Sequence, residues 1–270
     1  MSSKTVMTKS AHKRQRSLEF HRDHKFQPLR TGEDTTSSSQ LPLGFARHDI
    51  YTFDSYIPGL NREPADALQG IARGTGHDNI YLWAGRGAGK SHLLQAACNL
   101  AALSERACAY IPLKQIDEFT PDLFSSLEDL SLVCLDDVDE LAGRDDWELA
   151  LFDLFNRLKD TETPLVMSAG CSSKGSLIRL PDLKSRLSWG LCYHLQPLDD
   201  YENMAALKLR AQERGFELTD QVVEYLIKRV ERDTRNLFLW LDRLDRHSME
   251  AQRKLTVDFV KEILEIKGSE

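Results

Sequence analysis

Seven consecutive residues carry the clearest chemistry in this chain: Gly85-Arg86-Gly87-Ala88-Gly89-Lys90-Ser91, followed by His92. Closely spaced glycines let backbone N–H groups turn inward around an anion, Lys90 adds a cation, and the Ser91 hydroxyl is a ligand for Mg²⁺. This is the arrangement of a phosphate-binding loop, with Ala84 at the first position of the usual G-x-x-x-x-G-K-[ST] pattern. Further along, Leu132-Val133-Cys134-Leu135 runs into Asp136-Asp137. A buried strand ending in an acid is the natural counterpart of such a loop. Asp136 then holds Mg²⁺, often through water, and Asp137 orients or activates an attacking water. Alone, the two acids read as a strand turning at the surface; with the loop they read as the other half of a nucleotide site.

The elements that must position these groups follow from the pattern. Ile80–Trp83 reads as a strand, 84–89 as the loop and Lys90–Leu103 as a helix. Strands are expected at 107–111, 130–136, 164–169 and 191–195, and helices at 62–73, 121–127, 146–159 and 181–187. This alternation predicts an α/β fold, a parallel five-stranded sheet with helices on both faces. After Pro197 the pattern turns helical throughout (199–214, 219–231, 234–248 and 256–266), with breaks at Gly215, Thr219 and Thr256. A small all-α bundle is therefore expected behind the α/β core. Trp83, Trp147, Trp189 and Trp240 read as packing residues rather than a base-stacking platform.

Composition narrows the class. The chain is 41% hydrophobic and 29% charged, and no run approaches the roughly 20 apolar residues of a bilayer span. The polar, basic N-terminus has no apolar stretch behind it, which argues against a secretory signal. Five scattered cysteines without a CxxC pair argue against a disulfide framework or zinc site and for a reducing, cytoplasmic setting. Residues 1–39 hold eight Lys/Arg and four Asp/Glu, a balance of +4, and the rest of the chain stands at −11. An acidic body is a poor general DNA binder, because nucleic-acid affinity comes mostly from neutralising phosphates. The head at 1–39 reads as a disordered basic extension.

The loop, LVCLDD and the helical region together resemble an AAA+ ATPase of the DnaA branch of bacterial replication initiators, over roughly residues 40–266. The resemblance implies an AAA+ α/β domain over 46–197 and a helical lid over 198–270. TFDSYIPGLN resembles the family's N-terminal motif, which lines the adenine pocket. Ser168, closing PLVMSA, matches a polar sensor, though it can equally cap the strand. PDLKSRL matches the arginine-finger segment, which places Arg186 at the finger; a lone solvated arginine is the plain alternative. VERDTRNLFLWLDRL matches the lid motif whose arginine senses nucleotide, here Arg235, beside Asp233 and Thr234 as caps. The implied nucleotide ligands are Gly85, Gly87, Ala88, Gly89, Lys90, Ser91, His92, Asp136, Ser168 and Arg235. Ser91 and Asp136 are the Mg²⁺ ligands, and Arg186 and Asp137 the catalytic groups.

Two departures from the family shape the functional expectation. No basic helix-turn-helix follows the lid before Glu270. Ahead of the core, Gln40-Leu41-Pro42-Leu43-Gly44-Phe45 is similar to the short motif by which proteins dock on the bacterial DNA sliding clamp. Pro42 favours an extended backbone, Gln40 can hydrogen-bond a pocket rim, and Leu41, Leu43 and Phe45 supply apolar anchors. A strap packing on the chain's own core is the alternative. The combination resembles a regulatory offshoot of the DnaA family. It implies a clamp-tethered negative regulator of replication initiation, holding ADP (or ATP) with Mg²⁺, that stimulates ATP hydrolysis by DnaA through Arg186 supplied in trans. The implied partners are DnaA and the sliding clamp, with DNA reached only through the clamp, no membrane, and a homo-oligomer as a further assembly. The alternatives are a DnaC-like helicase loader and a DNA binder using the basic head.

Overall fold

The computed structural model describes residues 51–266 apart from Arg232, so the expected basic head (1–39) and clamp-docking motif (40–45) lie outside the described residues. Five parallel strands form one sheet in the order β2-β3-β4-β1-β5: β1 (Ile80–Trp83), β2 (Cys108–Pro112), β3 (Leu132–Asp136), β4 (Leu165–Ala169) and β5 (Leu191–His194). Every residue of β3 and β4 is buried, which explains their unbroken apolar character: a parallel strand covered on both faces has no solvent side to mark with polar residues.

Alternate residues feed two cores. Ile80, Leu82, Leu132, Cys134 and Val166 pack with Leu68, Ile71, Leu93 and Leu94 from α1 (Arg62–Arg73) and α2 (Lys90–Leu103). Tyr81, Val133, Leu135, Leu165 and Met167 pack with Leu151, Leu154, Phe155 and Leu183 from α3 (Asp145–Asp160) and α4 (Pro181–Arg186). Trp147 is buried in the second core, and Trp83 stacks on His194 with ring centroids 3.7 Å apart, tying β1 to the edge strand β5. All five cysteines are free, and Cys98 and Cys134 are core residues.

One element differs from expectation. Instead of an α-helix over 121–127, the segment forms two short 3₁₀ turns, Pro121–Phe124 and Leu127–Asp129, separated by Ser126 in a left-handed conformation at φ +63°. A single left-handed residue breaks the helical ladder, and Phe124 and Leu127 bury their side chains without it.

The helical region is α5 (Asp200–Glu213), α6 (Asp220–Arg229), α7 (Thr234–Ala251) and α8 (Val257–Ile266), around a core that includes Leu207, Val223, Leu226, Leu237, Leu241 and Val260. A capping box starts α5: Asp199 accepts from the Glu202 N–H at 2.7 Å, and Glu202 accepts from the Asp199 N–H at 2.9 Å. Two buried amides fasten this region. Asn61 donates to the Gln196 carbonyl (2.8 Å) and accepts from its N–H (2.7 Å), holding the connection out of the sheet. Asn203 accepts from the Thr234 hydroxyl at 2.8 Å, tying α5 to the start of α7. Among the described residues, no helix is long and apolar enough to cross a membrane.

Candidate functional site

The C-terminal ends of the parallel strands open into a cleft of about 760 Å³, the position where open α/β sheets take their ligands. The loop from Gly85 to His92 forms its floor. The acids Asp136, Asp137 and Asp139 line one side, and Arg210, Arg235 and Phe238 reach in from the helical region. Gly87 and Gly89 lie at φ +79° and +87°, where only glycine is unstrained. A Cβ on Gly89 would stand 2.8 Å from the Tyr56 ring, so the close approach is steric as well as conformational.

Lys90 begins α2 and is buried; its ammonium donates to the carbonyls of Ala84 (2.8 Å) and Gly85 (3.0 Å). Burial pushes its pKa down from the usual lysine range, while the negative charges of Asp137, Asp136 and Asp139 pull it partly back. The N-terminus of α2, the loop amides and this cation make the floor a site for anionic phosphate.

The two acids at the end of β3 sit in different surroundings. Asp136 is buried, accepting hydrogen bonds from the Ser168 hydroxyl on one oxygen and from the Tyr110 hydroxyl on the other at 2.7 Å. Ser168 also accepts from the Asp137 N–H at 2.9 Å, so this fully buried side chain sets the geometry of both acids. Asp137 is left-handed (φ +61°) and pairs with Lys114 at 2.5 Å. Asp139 accepts from the Gly170 N–H at 3.1 Å.

Mg²⁺ fits these residues in one particular way. Among the described residues, no group of three or more His, Cys, Asp or Glu side chains could hold a metal ion. Ser91 and Asp136 line the same cleft, and each Asp136 oxygen, having accepted one hydrogen bond, keeps a further lone pair. Two oxygen ligands of this kind suit a cation that arrives with phosphates and keeps its waters.

The far end of the cleft is aromatic. Tyr51 and Tyr56 flank His92, with ring centroids 5.0 and 5.3 Å away. The His92 Nε2 lies 2.8 Å from the Thr52 carbonyl, and burial pushes the His92 pKa down to about 4. The ring is therefore neutral and donates its Nε2 proton, holding segment 51–57 over the loop. Arg210 lies over the rings of Phe238 (4.5 Å) and Tyr51 (5.8 Å), so α5, α7 and the N-terminal segment meet at one cation.

The start of α7 rests on the phosphate loop. A Cβ on Gly87 would lie 2.9 Å from an Asp233 carboxylate oxygen and 3.5 Å from the Arg235 N–H nitrogen. Asp233 caps the helix by accepting from the Asn236 N–H at 3.0 Å, and Arg235 is exposed along the cleft.

Arg186 is elsewhere. It ends α4 and does not line the cleft; its guanidinium lies 4.6 Å from the Phe152 ring centroid and 4.9 Å from that of Trp189. The loop leading to α4 is fastened by Glu148, buried on α3, whose carboxylate accepts from the N–H groups of Gly143, Arg179 and Leu180 at 2.8–3.1 Å.

The family described as the bacterial DnaA ATPase domain matches residues 48–194, more than half of the chain. The chain belongs to the DnaA ATPase-domain family. A second family, described as the Hda lid domain, matches residues 200–264, making this a DnaA- and Hda-related AAA+ protein. Domain III of the Thermotoga maritima DnaA protein superposes with a TM-score of 0.70 at 22% identity, covering 80% of this chain and 96% of that one. AMPPCP-bound DnaA from Aquifex aeolicus gives 0.61 at 23% identity, covering 73% and 65%. The Thermotoga maritima RuvB Holliday junction branch migration motor gives 0.58 at 17% identity, covering 76% and 69%. These likenesses establish the AAA+ fold.

Within this DnaA-type frame, Gly85, Gly87, Ala88, Gly89, Lys90, Ser91, His92, Asp136, Asp137 and Arg235 all line the cleft. Ser168 does not: its hydroxyl is used on Asp136 and Asp137, so it positions the acids instead of facing the ligand space. Sequence reasoning passed over Tyr110, Lys114, Asp139, Arg210 and Phe238. Lys114 had a usable signal, since a charged residue just beyond the C-terminal end of a parallel strand faces the ligand crevice. Arg210 had none, lying inside a helix among ordinary charges.

Proposed function

We propose that this protein holds an adenine nucleotide with Mg²⁺ in its own cleft and acts on a second nucleotide bound by DnaA, accelerating ATP hydrolysis there and so restraining replication initiation. The observation that carries this reading is the separation of Arg186 from the cleft. An arginine on the last turn of α4 does not line the cleft of its own subunit, and in this reading its guanidinium, whose Nη1 has no hydrogen-bond partner among the described residues, serves a phosphoryl group across an interface. There it stabilises charge developing on the transferring group.

In this reading Lys90 and the loop amides bind the β-phosphate, Ser91 and Asp136 hold Mg²⁺, and Arg235 reads the phosphates from the lid. Mg²⁺ supplies charge neutralisation on the phosphate oxygens when bound. The aromatic end formed by Tyr51, Tyr56 and Phe238 takes the base. ADP is the structural ligand, with ATP as the alternative; either fixes the lid angle, and with it the surface shown to DnaA. Gln40, Leu41, Leu43 and Phe45 tether the protein to the sliding clamp, so DNA is met only indirectly, and the finger geometry also suits a homo-oligomer.

The test is γ-phosphate release from ATP-loaded DnaA in the presence of this protein and DNA-loaded clamp. Faster release, lost in the Gln40→Ala/Leu43→Ala/Phe45→Ala variant, is the expected result. Release unchanged by the unaltered protein would remove the inactivator reading.

A further inference from the structure

We infer that Tyr110, braced by Gln95, is a positioning residue that fixes where Asp136 stands relative to Ser91, and so sets how much nucleotide affinity the cleft gains from Mg²⁺. The inference rests on the nucleotide-site reading above and adds two residues to that same site. Gln95, Tyr110 and Asp136 all line the cleft. The Gln95 amide donates to the Tyr110 hydroxyl at 3.3 Å, and that hydroxyl donates to an Asp136 oxygen at 2.7 Å. The direction of the second bond follows from the acceptor, since an ionised carboxylate has no proton to give.

The fold brings these three side chains together from three elements. Tyr110 stands opposite Cys134 in the pairing of β2 with β3. Side chains alternate across a strand, so Asp136, two residues beyond Cys134, projects from the same face of the sheet. That face is the one α2 covers: Cys134, Leu93 and Leu94 share one core, and Tyr110 packs against it. Gln95 lies on α2 four residues after Ser91, which puts both on one side of the helix. Hydrogen bonds therefore run from the helix that carries Ser91, through β2, to the end of β3.

The consequence concerns the two oxygen ligands that Mg²⁺ would share. Ser168 donates to the other Asp136 oxygen from β4, so the carboxylate is gripped on both oxygens and its plane is fixed. Of the two grips, that of Tyr110 continues to α2 and so relates Asp136 to Ser91. Removing the phenolic hydroxyl releases one side of the carboxylate and cuts this link. It leaves the phosphate floor alone, because the Lys90 ammonium is held by the carbonyls of Ala84 and Gly85. Loss of such a supporting hydrogen bond lowers metal affinity by roughly 10–100-fold in comparable sites. The part of the nucleotide affinity that depends on the cation should therefore fall, and the part that does not should stay.

The experiment measures ADP affinity of the full chain in Mg²⁺ and in excess EDTA, for the unaltered protein, Tyr110→Phe, Gln95→Leu and Tyr110→Phe/Gln95→Leu. The readout is the ratio of the two affinities. Tyr110→Phe should bring that ratio toward one, a drop of roughly tenfold, with the affinity in EDTA unchanged. Gln95→Leu, which leaves the tyrosine in place, should lower the ratio less. The double variant should match Tyr110→Phe, because Gln95 acts through the phenol. An unaltered ratio in Tyr110→Phe overturns the inference, and so does an equal loss in both media, which would make Tyr110 a packing residue only. ADP binding by the unaltered chain that ignores Mg²⁺ also overturns it while leaving the nucleotide site standing. No ADP binding by the unaltered chain in either medium would overturn the site reading and this inference with it.

Discussion

The guanidinium of Arg186 lies 4.9 Å from the ring centroid of Trp189, with Phe152 4.6 Å away, so the arginine is held among aromatic rings outside its own nucleotide cleft. The Trp189 ring is 45% exposed and carries Lys159 at 5.4 Å as a second cation. Such contacts are each worth about 0.5–1 kcal/mol at exposed sites, enough to restrict a long side chain, and the Nη1 atom of Arg186 is itself buried without a hydrogen-bond partner among the described residues. Trp189→Ala is expected to lower stimulation of DnaA hydrolysis several-fold while Trp189→Phe keeps most of it. Side-by-side release assays on the two variants check this; equal activity of Trp189→Ala and the unaltered chain would contradict it.

Glu148 makes a prediction about stability. Its buried carboxylate satisfies the N–H groups of Gly143, Arg179 and Leu180, which fasten the loop before α4. Glu148→Ala leaves those donors without their partner, at a cost on the order of 3 kcal/mol. Denaturant unfolding should show that loss, accompanied by a weakened effect on DnaA, since the α4 loop loses its anchor.

His92 predicts a pH dependence. Its folded pKa, about 4, lies below the ordinary value of 6.5 because burial disfavours the charged ring. Between those values the unfolded chain binds more protons than the folded one, so stability rises with pH through this window and falls as pH drops from about 6.5 toward 4. Between pH 7 and pH 5 the loss attributable to His92 is about 2 kcal/mol. Thermal unfolding at the two pH values checks it, and His92→Gln should show a smaller difference than the unaltered chain.

Gly87 couples the loop to the lid. It lies at φ +79°, and a Cβ there would press on Asp233, the cap of α7. Gly87→Ala should weaken nucleotide binding more than tenfold, and it should remove most of the thermal stabilisation that ADP gives the unaltered chain. That stabilisation is about 2.7 kcal/mol at a hundredfold excess over Kd. A melting curve with and without ADP reads both effects.

Much of this architecture is legible in the residues. Ile80–Trp83, Lys90–Leu103 and Arg62–Arg73 fall where the apolar pattern puts them, because buried strands and two-sided helical packing leave strong periodic marks. The loop and Asp136-Asp137 are legible because phosphate chemistry demands particular residue types at particular spacing. Segment 121–129 is not, since Ser126 turns left-handed for tertiary reasons that a local pattern does not carry. Nor is the partnership of Ser168 with Asp136, made across strands by the register of β3 and β4, or of Lys114 with Asp137, made by the turn that follows β2. Arg210 reaches the cleft only because α5 packs beside α7, a contact that no spacing along the chain announces.

In the proposed function, Arg186 of this protein works on another protein's nucleotide. This role is tested most directly by single-turnover hydrolysis of ATP bound to DnaA, comparing the unaltered chain with Arg186→Ala, and with ADP affinity measured for both. Arg186→Ala should bind ADP as tightly as the unaltered chain yet lose its stimulation of DnaA by roughly a hundredfold or more. Stimulation retained by Arg186→Ala, or ADP binding lost along with it, would contradict the placement of Arg186 as a group acting in trans.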